Sequence, residues 1–335
     1  MAVSIRDVAK AAGVSIGTVS RAFNGYSDIK DETRDKIIRS AKELGYVPNL
    51  SAKMLSGKAH RSMAVILSGF MVDRGLTEEL VIKMLHGALE YGQEQNVEFA
   101  VYALSSDQQR EKSFDQFLAE HSLAGAMVFG LKTSDAYYEN IATSGAPCVL
   151  VDIEIKGEKV GFVGTDDHAA FAEITDLVIE SGHRRIALFN GRKQAKVCEL
   201  RQKGFLDSLK KHGLKAEEIA YTDFNLDQSQ QMAMDYIKEN GKTKATAFVC
   251  ASDLIALGVC NAIRKSGYVV GKDFAVTGFD GLRIANLSDP AVTTVDQNME
   301  KKGYAAAQML HAIVEGKETE RKLLIPYTVL KYDSI

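Results

Sequence analysis

Ser4-Ile-Arg-Asp-Val-Ala-Lys-Ala-Ala-Gly-Val-Ser-Ile-Gly-Thr-Val-Ser-Arg-Ala-Phe-Asn-Gly-Tyr26 predicts two short helices joined by a tight turn. Ser4 is a good N-cap, Asp7 lies three residues on, and Ile5, Val8, Ala9 and Ala12 recur on one face at helical spacing. Gly13 supplies the permissive backbone of a sharp turn. Ser15 restarts a helix whose apolar stripe is Val19, Ala22 and Phe23. Such a helix-turn-helix places the start of its second helix in the DNA major groove, which makes Ile16, Gly17 and Arg21 the candidate readers. A guanidinium bonds the O6 and N7 of guanine together, worth ~1–3 kcal/mol of discrimination. Ser15, Thr18 and Ser20 fit phosphate contacts or helix capping. The plainer alternative is an amphipathic hairpin with an exposed arginine.

The next thirty or so residues favour DNA binding over a plain hairpin. Residues 31 to 44 predict a third amphipathic helix, closed by Gly45 and Pro48. Residues 48 to 58 form a polar linker with the potential for a two-turn helix, in which Asn49 is the cap and Ala52, Lys53 and Leu55 are presented. A helix that short does not persist alone in water. Paired with its copy, it can wedge Leu55 between base steps of the minor groove; the other reading of Leu55 is a linker residue packed on the next domain. Charge divides accordingly. Residues 1 to 60 hold ten Lys or Arg against six Asp or Glu, and the whole-chain net charge of −3 leaves −7 for the rest. A basic end on an acidic body suits an anionic partner of that end.

From Met63 the pattern changes to short apolar runs separated by helical stretches. Strands are expected at 63–67, 97–102, 125–129 and 147–151, with helices near 78–95, 107–120 and 133–143. The rhythm resumes with strands at 185–189, 219–222, 245–250 and 274–278 and helices near 166–181, 196–212, 226–240 and 252–266. A strand at 292–295, a helix at 298–315 and a closing strand at 323–330 complete it. The fold class expected is a small all-α helix-turn-helix head plus an α/β core of two doubly wound parallel-sheet lobes. The head is placed at 1–47, the linker at 48–61 and the core at 62–335. Within the core one lobe takes about 62–158 and 294–322, and the other about 159–293 and 323–335.

Ligands of open parallel sheets bind beyond the carboxyl ends of strands, and two facing lobes enclose a cleft. The candidates there are Phe70, Asp73 and Arg74 in the loop after the first strand, Asp152, Arg201, Ser252, Asp253 and Asp280. Carboxylates accept paired hydroxyl hydrogen bonds and arginine donates a fork, which suits a polyhydroxylated or anionic small molecule. Each also has an ordinary reading as a helix cap or surface ion pair.

Other classes of function fit less well. The four cysteines, 148, 198, 250 and 260, lack metal-ligand spacing and are read as reduced and structural, and neither a metal nor another cofactor is expected. No apolar run approaches membrane-spanning length, and Arg6, Asp7 and Lys10 interrupt any leader-like stretch, so a cytoplasmic protein is expected. An exported solute receptor conflicts with that start and with the basic head. A sugar-processing enzyme would rest on His183, which has no nucleophile or carboxylate partner in a recognisable motif.

The sequence resembles the LacI family of bacterial transcription regulators along essentially its whole length. Besides the pattern at 4–24, the resemblance is carried by Glu43-Leu-Gly-Tyr-Val-Pro-Asn49, Gly182-His-Arg-Arg-Ile-Ala187, Gly278-Phe-Asp280 and Pro290-Ala-Val-Thr-Thr-Val-Asp-Gln297. It implies a homodimer, a hinge helix at roughly 49–57, a periplasmic-binding-protein-like core and a small-molecule effector, a sugar or sugar derivative. Separately, a positive rim of Arg74, Arg192, Lys193 and Lys196 would favour a sugar phosphate or acid, the ordinary reading of such loop cations being that they are solvated. The implied DNA-facing set is Ser4, Ser15, Ile16, Gly17, Thr18, Ser20, Arg21, Asn24, Asn49, Ala52, Lys53 and Leu55, with Leu55 as the minor-groove lever on a palindromic double-stranded operator. Asp152, Arg201 and Asp280 fall at ligand-touching positions. The chain departs from the pattern at Ser252, where sugar binders often carry Asn or Thr, and at Gly69 to Thr77, where Phe70 is the aromatic offered in place of a paired one. Lys30 stands at a usual capping serine, so Asp31 is the expected cap. Only five residues follow Leu330, too few for another oligomerising helix, and a dimer is expected rather than a tetramer.

Overall fold

A computed structural model describes residues 3–23, 26, 28–46, 62–69 and 78–335. Asn24, Asn49, Ala52, Lys53, Leu55, Phe70, Asp73 and Arg74 therefore lie outside the described residues. The chain divides into two compact units, Met1–Arg61 and Ser62–Ile335.

In the first unit, helices α1 (Ile5–Ala12), α2 (Ile16–Phe23) and α3 (Asp31–Leu44) enclose Val8, Ala9, Ala12, Val19, Ala22, Ile37 and Ala41. The apolar periodicity that predicts the helices is thus the periodicity that buries them. Asp7 accepts from both the Ser4 N–H (2.9 Å) and its hydroxyl (2.7 Å), which holds the Asp7 carboxyl below its ordinary range. Gly13 and Gly45 end α1 and α3 at φ 66°, a conformation open to glycine at little cost. The expected Asp31 cap is corrected. Asp31 is the first helical residue, Lys30 precedes it, and neither forms a side-chain cap; Asp31 and Glu32 instead place negative charge at the positive end of the helix dipole.

The second unit opens with a six-stranded parallel sheet. Its strands are β1 (Met63–Ser68), β2 (Phe99–Leu104), β3 (Ala126–Phe129), β4 (Cys148–Val151), β5 (Val160–Gly164) and β11 (Lys322–Leu324), in the order β11-β5-β4-β3-β1-β2. Strands β1, β3 and β4 are buried throughout, as continuous apolar runs in a doubly covered sheet should be. The covering helices are α4 (Glu78–Gln95), α5 (Ser106–Glu111), α6 (Phe114–Glu120), α7 (Ala136–Thr143) and α13 (Met299–Val314). Helices α4 and α13 approach closely, because a Cβ on Gly87 would lie 1.9 Å from the Glu300 carbonyl oxygen.

The other lobe has a four-stranded parallel sheet, β7-β6-β8-β9, from β6 (Ile186–Asn190), β7 (Ala216–Tyr221), β8 (Ala247–Cys250) and β9 (Ala275–Thr277). It is covered by α8 (Asp167–Glu180), α9 (Lys196–Lys211), α10 (Leu226–Asn240), α11 (Asp253–Lys265) and the short α12 (Arg283–Asn286). Strands β10 (Thr294–Asp296) and β12 (Thr328–Leu330) form an antiparallel pair, and single bridges tie 277 to 293 and 280 to 296.

The expected lobe boundaries shift. Strand β5 belongs to the first sheet, not the second lobe, and β10 bridges to the second lobe. The predicted closing strand is two strands: β11 pairs with β5, whereas β12 pairs with β10. Pro326, which has no N–H for a ladder, stands between them. The chain thus crosses between lobes after β5, after β10 and after β11. The helix expected at 107–120 is also two, since Ser113 accepts from the Gln116 N–H at 3.3 Å and starts a new one. All four cysteines are buried and free.

Candidate functional site

Helix α2 presents its first turn outward. Ile16 is 44% exposed, and Gly17 and Arg21 are exposed beside it. A Cβ on Gly17 would meet nothing closer than the Ser15 hydroxyl at 3.6 Å, so this surface is open to close approach. Ser15 is the cap of α2: its Oγ accepts from the Thr18 N–H at 3.1 Å and lies 2.8 Å from the Thr18 hydroxyl. Of the two roles open to Ser15, the structure supplies capping. Ser4 is likewise engaged with Asp7, and Ser20 is half-buried. The Arg21 guanidinium is paired with the Asp28 carboxylate and lies over the Tyr26 ring, 5.1 Å from its centroid. Arg34 escapes the pattern reading. From α3 it donates to the Ala22 carbonyl (3.3 Å) and the Tyr26 carbonyl (2.7 Å), tying the end of α2 to α3.

In the second unit a cleft of about 460 Å³ lies between the lobes. The first lobe lines it with Ser68, Phe129, Lys132 and Asp152, and the second with Arg192, Lys196, Arg201, Phe224 and Asp280. Asp152 and Asp280 follow strand ends at φ 64° and 130°. Side chains rarely adopt such angles, at ~1–3 kcal/mol each, and they concentrate where function holds them. A polar chain runs along the floor from one to the other. Lys302, fully buried, donates to Asp152 (2.6 Å) and to Gln297 (2.8 Å), and Gln297 donates to Asp280 (2.6 Å).

Arg201 is held on three sides. Its Nε donates to Asp167 at 2.7 Å, its Nη1 to the Ala251 carbonyl at 2.7 Å, and its plane lies 3.9 Å from the Phe279 ring centroid. Burial pushes the Asp167 carboxyl up despite the guanidinium beside it. Burial likewise lifts Asp280 to about 8, against the opposing pull of Arg201. A carboxyl raised in this way keeps its proton to higher pH than an exposed one, and in that form it donates as well as accepts a hydrogen bond.

Of the expected ligand residues described, Asp152, Arg201 and Asp280 converge on the cleft; Ser252 and Asp253 do not line it. This corrects their assignment. Ser252 caps α11, its Oγ accepting from the Ile255 N–H at 3.2 Å. Asp253 is fully buried and accepts from the Leu282 N–H (2.7 Å) and the Thr294 hydroxyl (2.5 Å), fastening β10 to the loop after β9. Gly278 makes room for it, since a Cβ there would lie 2.1 Å from Asp253 Oδ1. Pattern reading misses Asp167, Gln297, Lys302 and Phe224. The one signal of Phe224 is structural: its ring packs over Gly191, where a Cβ would lie 2.2 Å from it.

No histidine or cysteine lines the cleft among the described residues. His183 lies outside it, with Nδ1 3.1 Å from the Thr246 hydroxyl and its basicity lowered by burial. Among the described residues the metal-ligating atoms that cluster belong to His86, Glu90 and Glu300, all exposed and none in the cleft.

Comparison with known proteins matches both units. The family described as bacterial regulatory proteins, lacI family, matches residues 4–49, and a periplasmic binding protein-like domain matches 175–335. The regulator RegA of Clostridium saccharobutylicum is 28% identical over 338 residues, covering 100% of this chain and 98% of that protein. The regulator CelR of Thermobifida fusca is 29% identical over 332 residues, covering 96% and 95%. A solved CelR–cellobiose complex superposes with a TM-score of 0.73 at 26% identity, covering 99% of each chain. A lac repressor dimer bound to operator and an anti-inducer has the same fold, with a TM-score of 0.85 at 23% identity over 100% of this chain and 99% of that one.

Proposed function

The chain belongs to the LacI family of bacterial regulatory proteins, and from that premise we propose that it is a homodimeric transcriptional repressor controlled by a sugar or sugar derivative. The paired heads read a palindromic double-stranded operator through Ile16, Gly17 and Arg21, with Asn24, Asn49, Ala52, Lys53 and Leu55 completing the contact set by family resemblance. The observation that carries the effector half is the cleft, where carboxyls from both lobes and one anchored arginine converge. Asp152, Arg201 and Asp280 together accept and donate to vicinal hydroxyls, and Phe129 and Phe224 offer apolar faces. Lys132, Arg192 and Lys196 add positive charge, which favours a sugar phosphate or acid within that class.

We read the chain as acting by binding, in keeping with relatives named as transcriptional regulators. Self-association is supported by the exposed apolar residues Ile82 (65%) on α4 and Ile284 (53%) and Leu287 (78%) at α12. Among the described residues no helix is long and apolar enough to cross a membrane; the cytoplasmic site of action belongs to the proposed DNA-binding role. Selection of bound duplexes from a randomised library, repeated with a panel of sugars, sugar phosphates and sugar acids, tests the proposal. It expects a recovered palindrome and one compound class that changes the yield. Recovery of no enriched sequence under any condition refutes it.

A further inference from the structure

Arg21 does not project from α2 as an unconstrained side chain. Its Nη2 is paired with Asp28 Oδ2, and its guanidinium lies over Tyr26. Both supports come from the segment between α2 and α3, and the Tyr26 carbonyl that fixes that segment accepts from Arg34 at 2.7 Å. The pair remains about half exposed, 53% for Arg21 and 49% for Asp28. One edge of the guanidinium is therefore held by a carboxylate and one face by a ring, while a guanidinium still has further N–H donors in the same plane.

We propose that Asp28, with Tyr26, is a positioning residue for base readout: it presets the plane and rotamer of Arg21 so that the fork meets guanine already ordered. This rests on the DNA-reading role assigned above to α2. An arginine ordered only on binding loses much of its rotamer freedom in the complex, whereas one ordered beforehand has lost it already. The support acts on the specific complex, because a backbone phosphate is satisfied by many arginine rotamers and guanine O6 and N7 by few. It also opposes simple electrostatics, since Asp28 adds negative charge to a surface that binds a polyanion. The two effects predict opposite signs for neutralising Asp28, and that makes the proposal testable.

The test uses the full chain and its Asp28→Asn and Asp35→Asn variants; Asp35 is an exposed carboxylate on α3 that removes the same charge. Each is titrated at several salt concentrations against three duplexes: the selected palindrome, the same duplex with A·T in place of the one G·C pair that Arg21→Ala no longer distinguishes, and an unrelated sequence. Asp35→Asn is expected to tighten all three alike. Asp28→Asn is expected to tighten the unrelated duplex but to reduce discrimination at that G·C pair by about two- to tenfold, the range set by immobilising one long side chain. Asp28→Asn behaving as Asp35→Asn does would overturn the proposal, leaving Asp28 as charge only. Tighter binding of the palindrome with discrimination retained would also overturn it, since the ion pair would then be a competitor that DNA must break. Absence of sequence preference in the unaltered chain is a separate result, and it refutes the DNA-reading role itself.

Discussion

Replacing Arg201 by methionine tests whether the cleft is built on a buried charge. Methionine keeps much of the stem but removes the bonds to Asp167 and the Ala251 carbonyl, both 2.7 Å, and the stack on Phe279 at 3.9 Å. What remains is a carboxyl at 4% exposure without its cation. Breaking one side of such a pair costs ~3–5 kcal/mol, because the surviving charge is neither solvated nor matched. For domains of ~150–250 residues each kcal/mol lowers Tm by ~2–4 °C, so a fall of roughly 6–20 °C is expected. Burial already raises the Asp167 carboxyl, and losing the guanidinium raises it further. A raised folded-state carboxyl binds its proton more readily than the unfolded one, so the variant recovers stability as pH falls and loses it as pH rises. Urea and thermal unfolding of Arg201→Met, Asp167→Leu and the double variant at pH 5 and pH 8 measure this. The double variant should recover much of the loss by removing the orphaned carboxyl. A single-variant loss below about 1 kcal/mol, or a double variant no more stable than Arg201→Met, would refute the reasoning.

Asp280→Asn isolates the other buried carboxyl: raised to about 8 in the folded state against ~4 unfolded, Asp280 favours folding most below pH 4 and loses that advantage as pH rises to 8. The variant should therefore gain stability relative to the native chain across that window in urea titrations, and an offset independent of pH refutes the assignment. Arg21→Ala should lower discrimination at one base pair by ~1–3 kcal/mol in duplex competition, whereas uniform weakening on all sequences marks a phosphate contact only. Leu55→Ala should reduce operator affinity and DNA bend together in gel-shift and bending assays; an unchanged bend removes its lever role. Leu287→Glu, at a residue 78% exposed, should shift sedimentation towards the monomer, and an unchanged mass moves the self-association surface elsewhere.

The head is legible in the sequence because one set of residues decides both helix and core: Val8, Ala12 and Val19 set the period and are the residues buried. Parallel strands in the core are legible for a similar reason, since β1, β3 and β4 are buried on both faces and read as unbroken apolar runs. Strand β5 escapes because Val160-Gly-Phe-Val-Gly164 reads as a loop when two of its five residues are glycine. At the site, the strand-end rule leads to Asp152 and Asp280, which line the cleft with Arg201 of the following helix, but it leads equally to Ser252 and Asp253, which follow β8 and do not line it. A polar pair after a strand serves equally as cap and internal brace, and only the hydrogen bonds to Ile255, Leu282 and Thr294 distinguish the two uses. Lys302 escapes because a lysine in an amphipathic helix reads as solvated; its burial depends on packing among α13, β4 and the crossover after β10, which no local pattern encodes.

If the cleft binds the effector as proposed, Lys302 also ties it to control of the protein. An effector alters operator affinity only through unequal affinity for two arrangements of the protein. Asp152 and Lys302 belong to one lobe and Asp280 to the other, and the chain through Gln297 spans them at 2.6 to 2.8 Å per link. A ligand hydroxyl that bonds Asp152 or Asp280 therefore meets an acceptor already shared with this chain. Such a ligand is bound more tightly by whichever lobe arrangement leaves the links intact, because breaking one strands a polar group in a buried site at ~1–3 kcal/mol. A preference of that size multiplies affinity by roughly 5- to 150-fold between states, the ordinary range of allosteric coupling. The polar floor can thus convert occupancy of the cleft into a bias on lobe geometry without any large rearrangement of the sheets.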